Sequence, residues 1–267
     1  DWSSDVCSSD LARSNIQRPY IRFDQKRPSG RHPLEFKQVT KSYDGVTVVS
    51  GFSAAISRGE KIALIGRNGT GKTTLLRSLL KNAPGSLNSE ESKFDLDAGE
   101  VVWGHEAAVG YFAQDHTDSI SKGFTALDWL RQFDPQAGNE ELRGLLGQML
   151  FSGDDALKQT DALSGGESAR LIFCRLMLQK PNILVLDEPT NHLDLESINA
   201  LNIALQKYEG TVLFVTHDYD VIDEVATRIW HFQNPLGAPI EDFKGKYSDY
   251  LEARAATTGA SASKGRG

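Results

Sequence analysis

The sequence predicts an α/β fold in which helices cover a buried parallel sheet. Short apolar runs at 183–186 and 212–215 lie between longer segments of helical periodicity, which is the pattern of buried strands joined by helices. The first of these runs ends in two adjacent carboxylates, Asp187 and Glu188. Open α/β sheets bind ligands at the carboxyl ends of their strands, and paired acids are costly to bury unless a cation or a reaction uses them. We therefore expect a functional site at this edge.

A glycine-rich segment follows a third apolar run, at 61–65, and fits the pattern G-x-x-x-x-G-K-[ST]. Glycines let backbone N–H groups approach phosphates closely, and a helix that begins directly afterwards adds its positive end. In this pattern the lysine reaches the β- and γ-phosphates and the hydroxyl binds Mg²⁺. The sequence therefore predicts ATP and Mg²⁺ as ligands of a glycine loop that consists of Gly66, Arg67, Asn68, Gly69, Thr70, Gly71, Lys72, Thr73 and Thr74.

Composition divides the chain into four stretches. Residues 1–11 are rich in Ser and Asp and do not begin with Met, so we interpret them as a non-native leader. Residues 12–33 are rich in Arg, Lys and Pro, which indicates a basic linker rather than a core element. The nucleotide-binding domain is predicted at 34–254. Residues 255–267, which are rich in Ala, Ser, Gly and Thr, predict a disordered tail.

Within the predicted domain the periodicity changes twice. Strand-like pieces at 34–39, 46–49 and 52–56, bounded by turn residues, predict an antiparallel β portion. The polar stretch 81–97 is interpreted as a surface loop. A helical period between about 124 and 163 then predicts a helical subdomain inserted into the sheet domain.

Bulk properties exclude several classes of protein. The net charge of −7 argues against a protein that coats nucleic acid, and the two cysteines do not indicate a disulfide framework. No apolar run approaches the roughly 20 residues that span a bilayer, and the chain does not open with the pattern of a signal peptide. The predicted location is the reducing cytoplasm.

The signature segment, Leu163-Ser164-Gly165-Gly166-Glu167, precedes a further helical pattern. Ser164 and Glu167 have the spacing of a helix capping box. A capping box does not explain Gly165 and Gly166, which weaken a helix start but leave several N–H groups bare for an anion. We expect both roles together.

The order of these features resembles that of ATP-binding-cassette (ABC) ATPases. The glycine loop, Gln114, the signature segment, the pair Asp187-Glu188 and His217 follow one another as in that family. More narrowly, the spelling of residues 188–194, EPTNHLD, and of residues 245–251, GKYSDYL, is similar to the ABC-F subfamily of twin-cassette proteins that act on ribosomes. The resemblance implies a P-loop NTPase fold of ABC type with an antiparallel β portion and an inserted helical subdomain.

The resemblance also implies roles for single residues. Asp187 would hold Mg²⁺ through water, together with Thr73 and Gln114, and Gln114 would sense the γ-phosphate. Glu188 would act as general base or polariser of the attacking water, and His217 would hydrogen-bond the γ-phosphate. Tyr43 would stack on the adenine, although a packed turn tyrosine is the alternative. Of the remaining motif residues, Asp194 would reach a partner cassette, and His192 is interpreted as a scaffold residue of its turn.

In ABC proteins the site is shared between two cassettes that face head to tail, so Ser164 and Gly166 would serve a partner's nucleotide. Gly165 and Glu167 are predicted with them as nucleotide-binding residues. ABC-F proteins carry both cassettes on one polypeptide, joined by a helical linker that reaches towards ribosome-bound tRNA. The basic 12–33 segment resembles the end of that linker. This predicts that the present chain is the second, C-terminal cassette of such a protein. The alternative is that the segment is merely a solvated linker. Two other functions stay open at this point: the ATPase subunit of a membrane transporter, and a nucleotide-binding regulatory module that does not hydrolyse ATP.

Overall fold

The computed structural model describes residues 18–81, 83–84 and 94–264, with side chains as far as residue 256. Within these ranges the strands are β1 (Leu34–Tyr43), β2 (Val46–Ile56), β3 (Lys61–Gly66), β4 (Ala98–Trp103), β5 (Val109–Phe112), β6 (Ile183–Asp187), β7 (Thr211–Val215), β8 (Arg228–Phe232) and β9 (Glu241–Lys244). The α-helices are α1 (Lys72–Leu80), α2 (Ala126–Arg131), α3 (Asn139–Gln148), α4 (Gly165–Gln179), α5 (Leu195–Lys207), α6 (Tyr219–Val225) and α7 (Tyr247–Lys264).

The larger sheet has the strand order β5-β6-β7-β3-β8-β9. The first five strands of this order pair in parallel, and β9 pairs antiparallel to β8. Because β6, β7 and β3 are consecutive in this order, the residues that follow them meet at one edge of the sheet. The predicted α/β class, with a buried parallel sheet, is confirmed.

The smaller sheet is antiparallel, in the order β2-β1-β4. The sequence predicted two short strands at 46–49 and 52–56, but they are one strand, β2. Gly51 lies inside it with φ +58, where the pairing with β1 is irregular. The prediction broke the strand at this glycine, whereas the strand accommodates it as a bulge.

Alternate residues of the central strands face two separate cores. Leu184 and Leu186 of β6 pack in the cluster that contains α4 and α5, whereas Ile183 and Val185 pack in the cluster that contains α1. Since successive strand residues point to opposite faces, α1 and α4 cover opposite faces of the parallel sheet. The glycine loop and the signature segment therefore begin helices on opposite faces of the sheet.

The helical subdomain contains α2 and α3, with 3₁₀ turns at Gly153–Leu157 and Thr160–Ala162. Thr125 caps α2 by accepting a hydrogen bond from the Asp128 backbone N–H. The subdomain packs on α4, and its buried side chains belong to the same core as α4. No helix in the described part of the chain is long and apolar enough to cross a membrane.

The described part of the 12–33 segment packs on the domain, so the expectation that it is not a core element is wrong. Ile21 and Phe23 are each only 5% exposed, and the Phe23 ring lies 6.3 Å from Phe173 and 6.2 Å from Tyr208. The intervening Arg22 is exposed. The alternation of apolar and polar residues was the available signal, and the high basic content obscured it.

Helix α7 continues to Lys264, which differs from the disorder predicted for 255–267. Alanine is the strongest helix former, and this stretch is rich in it. Residues 1–17, which include the predicted leader, lie outside the described residues, as do 265–267 and most of the predicted 81–97 loop.

Candidate functional site

The glycine loop connects β3 to α1 and is held by its own side chains. Lys72 is 6% exposed, and its Nζ donates to the carbonyls of Gly66 and Arg67, both at 2.8 Å. The Thr70 hydroxyl donates to the Arg67 carbonyl at 2.7 Å. Burial lowers the pKa of Lys72, while the charges of Glu188 and Asp187 act to raise it. The lysine therefore lies in the field of the paired acids.

Glycine is required in the loop for two different reasons. A Cβ on Gly71 would lie 2.2 Å from the Val48 Cγ1 atom, and the residue has φ +100. At Gly69, with φ +76, a Cβ would have nothing within 4 Å. The backbone at Gly69 is therefore open on that side, and this Cβ-free surface fits the close approach of a phosphate.

Asp187 lies at the end of β6 and is fully buried. Its Oδ1 accepts a hydrogen bond from the Thr73 hydroxyl at 3.1 Å, and its Oδ2 has no hydrogen-bond partner in the described structure. Burial raises the pKa of Asp187 to about 6. A buried carboxylate oxygen without a donor, beside a threonine hydroxyl, fits a hard divalent cation such as Mg²⁺, which typically takes few protein ligands and keeps several waters.

Glu188 has φ +53, an uncommon conformation for a residue other than glycine. Its N–H donates to the Val215 carbonyl at 2.9 Å, which ties β6 to β7. The side chain accepts a hydrogen bond from Asn191 Nδ2, and its Oε1 lies 3.7 Å from His217 Nε2. The structure therefore brings together the predicted base and the predicted γ-phosphate contact.

Tyr43 and Gln114 lie at the margins of this site. Tyr43 is half-buried in the β1–β2 hairpin, whose Val48 touches Gly71, and the Lys41 Nζ lies 5.0 Å from its ring centre. Gln114 is exposed in the turn after β5. Both positions agree with contacts to a bound nucleotide, and their roles stay predictions.

The signature segment begins α4 with the predicted capping box. The Glu167 N–H donates to the Ser164 hydroxyl at 3.3 Å, and the Ser164 N–H donates to Glu167 at 2.8 Å. Burial acts to raise the pKa of Glu167, but hydrogen bonds from Lys158 and Ser164 hold it below its ordinary value. The carboxylate is therefore ionised and belongs to the helix start.

The acidic turn, residues 187–194, contacts the signature segment through its histidine. A Cβ on Gly166 would lie 3.0 Å from the His192 carbonyl oxygen, and a Cβ on Gly165 would lie 3.5 Å from the His192 Cβ. Asp194 caps α5 by accepting from the Ser197 N–H at 2.7 Å. His192 thus packs against the signature segment, and its role as a scaffold of its own turn stays a prediction. Asp194 has a local capping role that the sequence analysis did not assign.

Sequence reasoning gave no role to Asn191, which holds the Glu188 carboxylate, although it lies within a quoted motif. It also passed over His116, which is 2% exposed and whose Nε2 lies 3.2 Å from the Gly165 carbonyl oxygen. The signal for His116 was its position two residues after Gln114.

The comparisons agree with this geometry. The family described as "ABC transporter" matches residues 49–191. The probable ATP-binding protein YbiT of Escherichia coli O157:H7 is 41% identical over 92% of this chain and 44% of its own length. ABC transporter F family member 5 of Arabidopsis thaliana is 34% identical over 89% of the chain and 33% of its own length.

The ATP-binding protein Uup of E. coli K12 is 37% identical, over 86% of this chain and 34% of its own length. Each of these matches spans less than half of the relative's length. The cassette MJ0796, solved as a dimer in a post-hydrolysis state bound to ADP and Pi, has the same fold with a TM-score of 0.64 at 21% identity, covering 79% of this chain and 98% of that one. The chain belongs to the ATP-binding-cassette family, and its relatives include members of the ABC-F group.

Proposed function

We propose that this chain is an ATP-hydrolysing cassette that works against a second cassette. One observation carries the proposal: Thr73 of the glycine loop, the buried Asp187 and the Glu188–His217 pair meet at one sheet edge. Phosphoryl transfer needs positioning and neutralisation of charge more than covalent chemistry, and this edge supplies both. Mg²⁺, when bound beside Thr73 and Asp187, would neutralise phosphate charge.

The chain's own residues would then act as follows. Lys72 offers its ammonium to the β- and γ-phosphates, and the loop N–H groups of 66–74 bind phosphate oxygens. Glu188 accepts the proton of the attacking water through a carboxylate that Asn191 orients. His217 donates to the γ-phosphate from its place 3.7 Å from Glu188.

The placement of α1 and α4 on opposite faces of the sheet supports a shared site. Gly165 and Gly166 start α4, whose core is the one opposite α1, so they are suited to a phosphate held by another chain. In a two-fold pair of cassettes, each signature segment would serve the partner's glycine loop.

Complementation tests the shared site. Lys72→Ala removes the phosphate cation, and Gly166→Asp places a negative charge in the signature segment, so each variant alone should lose turnover. When the two variants are mixed in equal amounts and pair at random, half of the pairs contain one copy of each. Each of these pairs has one intact site of two, so about a quarter of wild-type turnover returns. Wild-type turnover with no recovery in the mixture would contradict a shared site, and a wild type without turnover would contradict the proposed hydrolysis.

A second pair of variants tests Glu188 as the general base. Glu188→Gln should lower kcat by about 10²–10⁴-fold while fluorescent ATP analogues still bind. Glu209→Gln, at an exposed glutamate, is the control and should leave turnover unchanged. Normal kcat in Glu188→Gln would remove that residue from the chemistry.

We further propose that the cassette is cytoplasmic and acts on the ribosome in translation, probing tRNA as part of a twin-cassette ABC-F protein. Support comes from the EPTNHLD and GKYSDYL spellings and from the relatives named as F family members. Glu188→Gln with ATP should co-sediment with ribosomes through a sucrose cushion, and Lys72→Ala, which lacks the phosphate cation, should not. Equal recovery of both variants, or of neither, would contradict a nucleotide-dependent ribosome contact.

A further inference from the structure

The His116 side chain is buried between the nucleotide-facing turn and the signature segment. The residue is 2% exposed, and its ring lies 4.9 Å from the Phe112 ring. Its Nε2 lies 3.2 Å from the carbonyl oxygen of Gly165. A carbonyl oxygen only accepts hydrogen bonds, so Nε2 carries the proton. His116 is therefore a donor aimed at the first residue of α4.

This hydrogen bond has a consequence one residue further along the chain. The carbonyl of Gly165 and the N–H of Gly166 belong to the same planar peptide unit and point in opposite directions. Holding the carbonyl oxygen therefore fixes the direction of the Gly166 N–H. Glycines have the widest backbone freedom of any residue, so the His116 hydrogen bond adds to the restraint that the first turn of α4 and its capping box place on this peptide.

His192 also lies against the signature glycines. Its carbonyl oxygen lies against Gly166, its ring lies near Gly165, and the two histidine rings are 6.3 Å apart. His116 also follows Gln114 by two residues in a turn that begins directly after β5. One short segment therefore reaches both the cassette's own nucleotide edge and the glycines that would face the partner's nucleotide.

We propose that His116 is a positioning residue, which fixes the Gly165–Gly166 peptide for phosphate binding across the cassette pair and couples it to the Gln114 turn. This proposal rests on the proposed function for its effect on turnover. The hydrogen bond itself is independent of that function. In the neutral ring, Nδ1 is then unprotonated, and it has no hydrogen-bond partner in the described structure.

The first test is therefore spectroscopic and needs no activity. Long-range ¹H–¹⁵N correlation of the wild-type chain should show His116 as the Nε2–H tautomer. Removing its donor should move the Gly166 amide resonance. A ring that carries its single proton on Nδ1 cannot donate to Gly165, and that result would overturn the proposal whatever the ATPase assay shows.

Two substitutions separate positioning from packing. His116→Phe keeps a ring against Phe112 but removes the donor, whereas His116→Gln loses the ring and keeps an amide N–H donor at a similar reach. If His116 is a positioning residue, kcat falls about tenfold in His116→Phe, which is the effect expected from losing one buried hydrogen bond. In His116→Gln, kcat stays close to the wild-type value. Binding of a fluorescent ATP analogue by the chain's own glycine loop stays within about twofold in both, since neither substitution touches that loop.

Thermal unfolding of the same variants shows whether activity simply follows stability. A merely structural histidine would make activity follow stability, so that the better-packed phenylalanine variant is the more active one. The proposal predicts the reverse order of activity. His105→Phe, at an exposed histidine after β4, is the matched control and should behave as wild type. If the wild type is active and kcat is undiminished in His116→Phe, the positioning role alone is overturned. If the wild type is inactive, the proposed hydrolysis is overturned, and the tautomer measurement then decides whether the hydrogen bond exists.

Discussion

Replacing Gly71 by alanine should distort the glycine loop through one identifiable contact. The new Cβ would lie 2.2 Å from the Val48 Cγ1 atom, with φ +100 at the substituted residue. The positive φ costs an L-residue about 1 kcal/mol, and the overlap with a half-buried valine adds about 2 kcal/mol. We expect Gly71→Ala to lower the free energy of unfolding by about 3 kcal/mol in total.

Gly69→Ala is the matched control, because its φ is also positive, at +76, but a Cβ there meets nothing within 4 Å. It should cost only the backbone term of about 1 kcal/mol. Val48→Ala removes the clashing atom, so the double variant with Gly71→Ala should regain about 2 kcal/mol relative to the sum of the single changes.

Urea unfolding followed by tryptophan fluorescence measures the wild type and all four variants, and titration with a fluorescent ATP analogue reports the loop itself. Gly71→Ala should bind the nucleotide more weakly, and the Val48→Ala background should restore part of that affinity. Equal losses of stability at Gly69 and Gly71, or strict additivity with Val48→Ala, would refute the packing of β2 against the glycine loop.

Three further changes test other parts of the structure. Phe23→Ala should cost about 3 kcal/mol of unfolding free energy, because the ring is buried. Arg22→Ala should change it by no more than about 0.5 kcal/mol. Equal effects in urea unfolding would contradict the packing of the 18–33 segment. The pKa of Asp187 is about 6 in the folded chain and about 3.9 in the unfolded chain. Protonation of this carboxyl therefore stabilises the fold, and its contribution to the free energy of unfolding is lost as the pH rises. In EDTA, wild type should therefore lose roughly 2 kcal/mol between pH 4 and 7 relative to Asp187→Asn, and parallel pH profiles would contradict the burial of that carboxyl. Arg228→Ala should cost about 3 kcal/mol, because it removes the hydrogen bonds of a buried guanidinium to the carboxylates of Glu60 and Asp242. The exposed Lys244→Ala is the control, and an equally small effect of both in thermal unfolding would place Arg228 at the surface.

The motifs of the site could be predicted because their chemistry is local. A lysine after alternating glycines, or two acids at the end of an apolar run, constrains the backbone and the ligand within a few residues. The capping box of Ser164 and Glu167 is of the same kind, and the structure reproduces it. In each of these cases the interacting groups are neighbours in the chain, so spacing alone determines whether they can meet.

The features that sequence reasoning missed depend on partners distant in the chain. Strand β8 was overlooked because Arg228 reads as a surface residue. In the structure Arg228 is 4% exposed, and it donates at 2.7 Å to Asp242 and at 2.9 Å to Glu60. A buried arginine is tolerated only where such carboxylates surround it, and no local pattern shows that residues 14 and 168 positions away will do so.

The same reasoning explains why the sequence could not show on which face of the sheet the signature segment begins its helix. Spacing along the chain indicates that Gly165 and Gly166 begin a helix, but the side of the sheet on which that helix lies depends on tertiary packing. The packing of Leu184 and Leu186 against α4, with Ile183 and Val185 against α1, is a property of the folded sheet. It places the helix that the glycine loop begins and the helix that the signature segment begins on opposite faces of the sheet. This arrangement supports the proposal that the signature segment serves a second cassette.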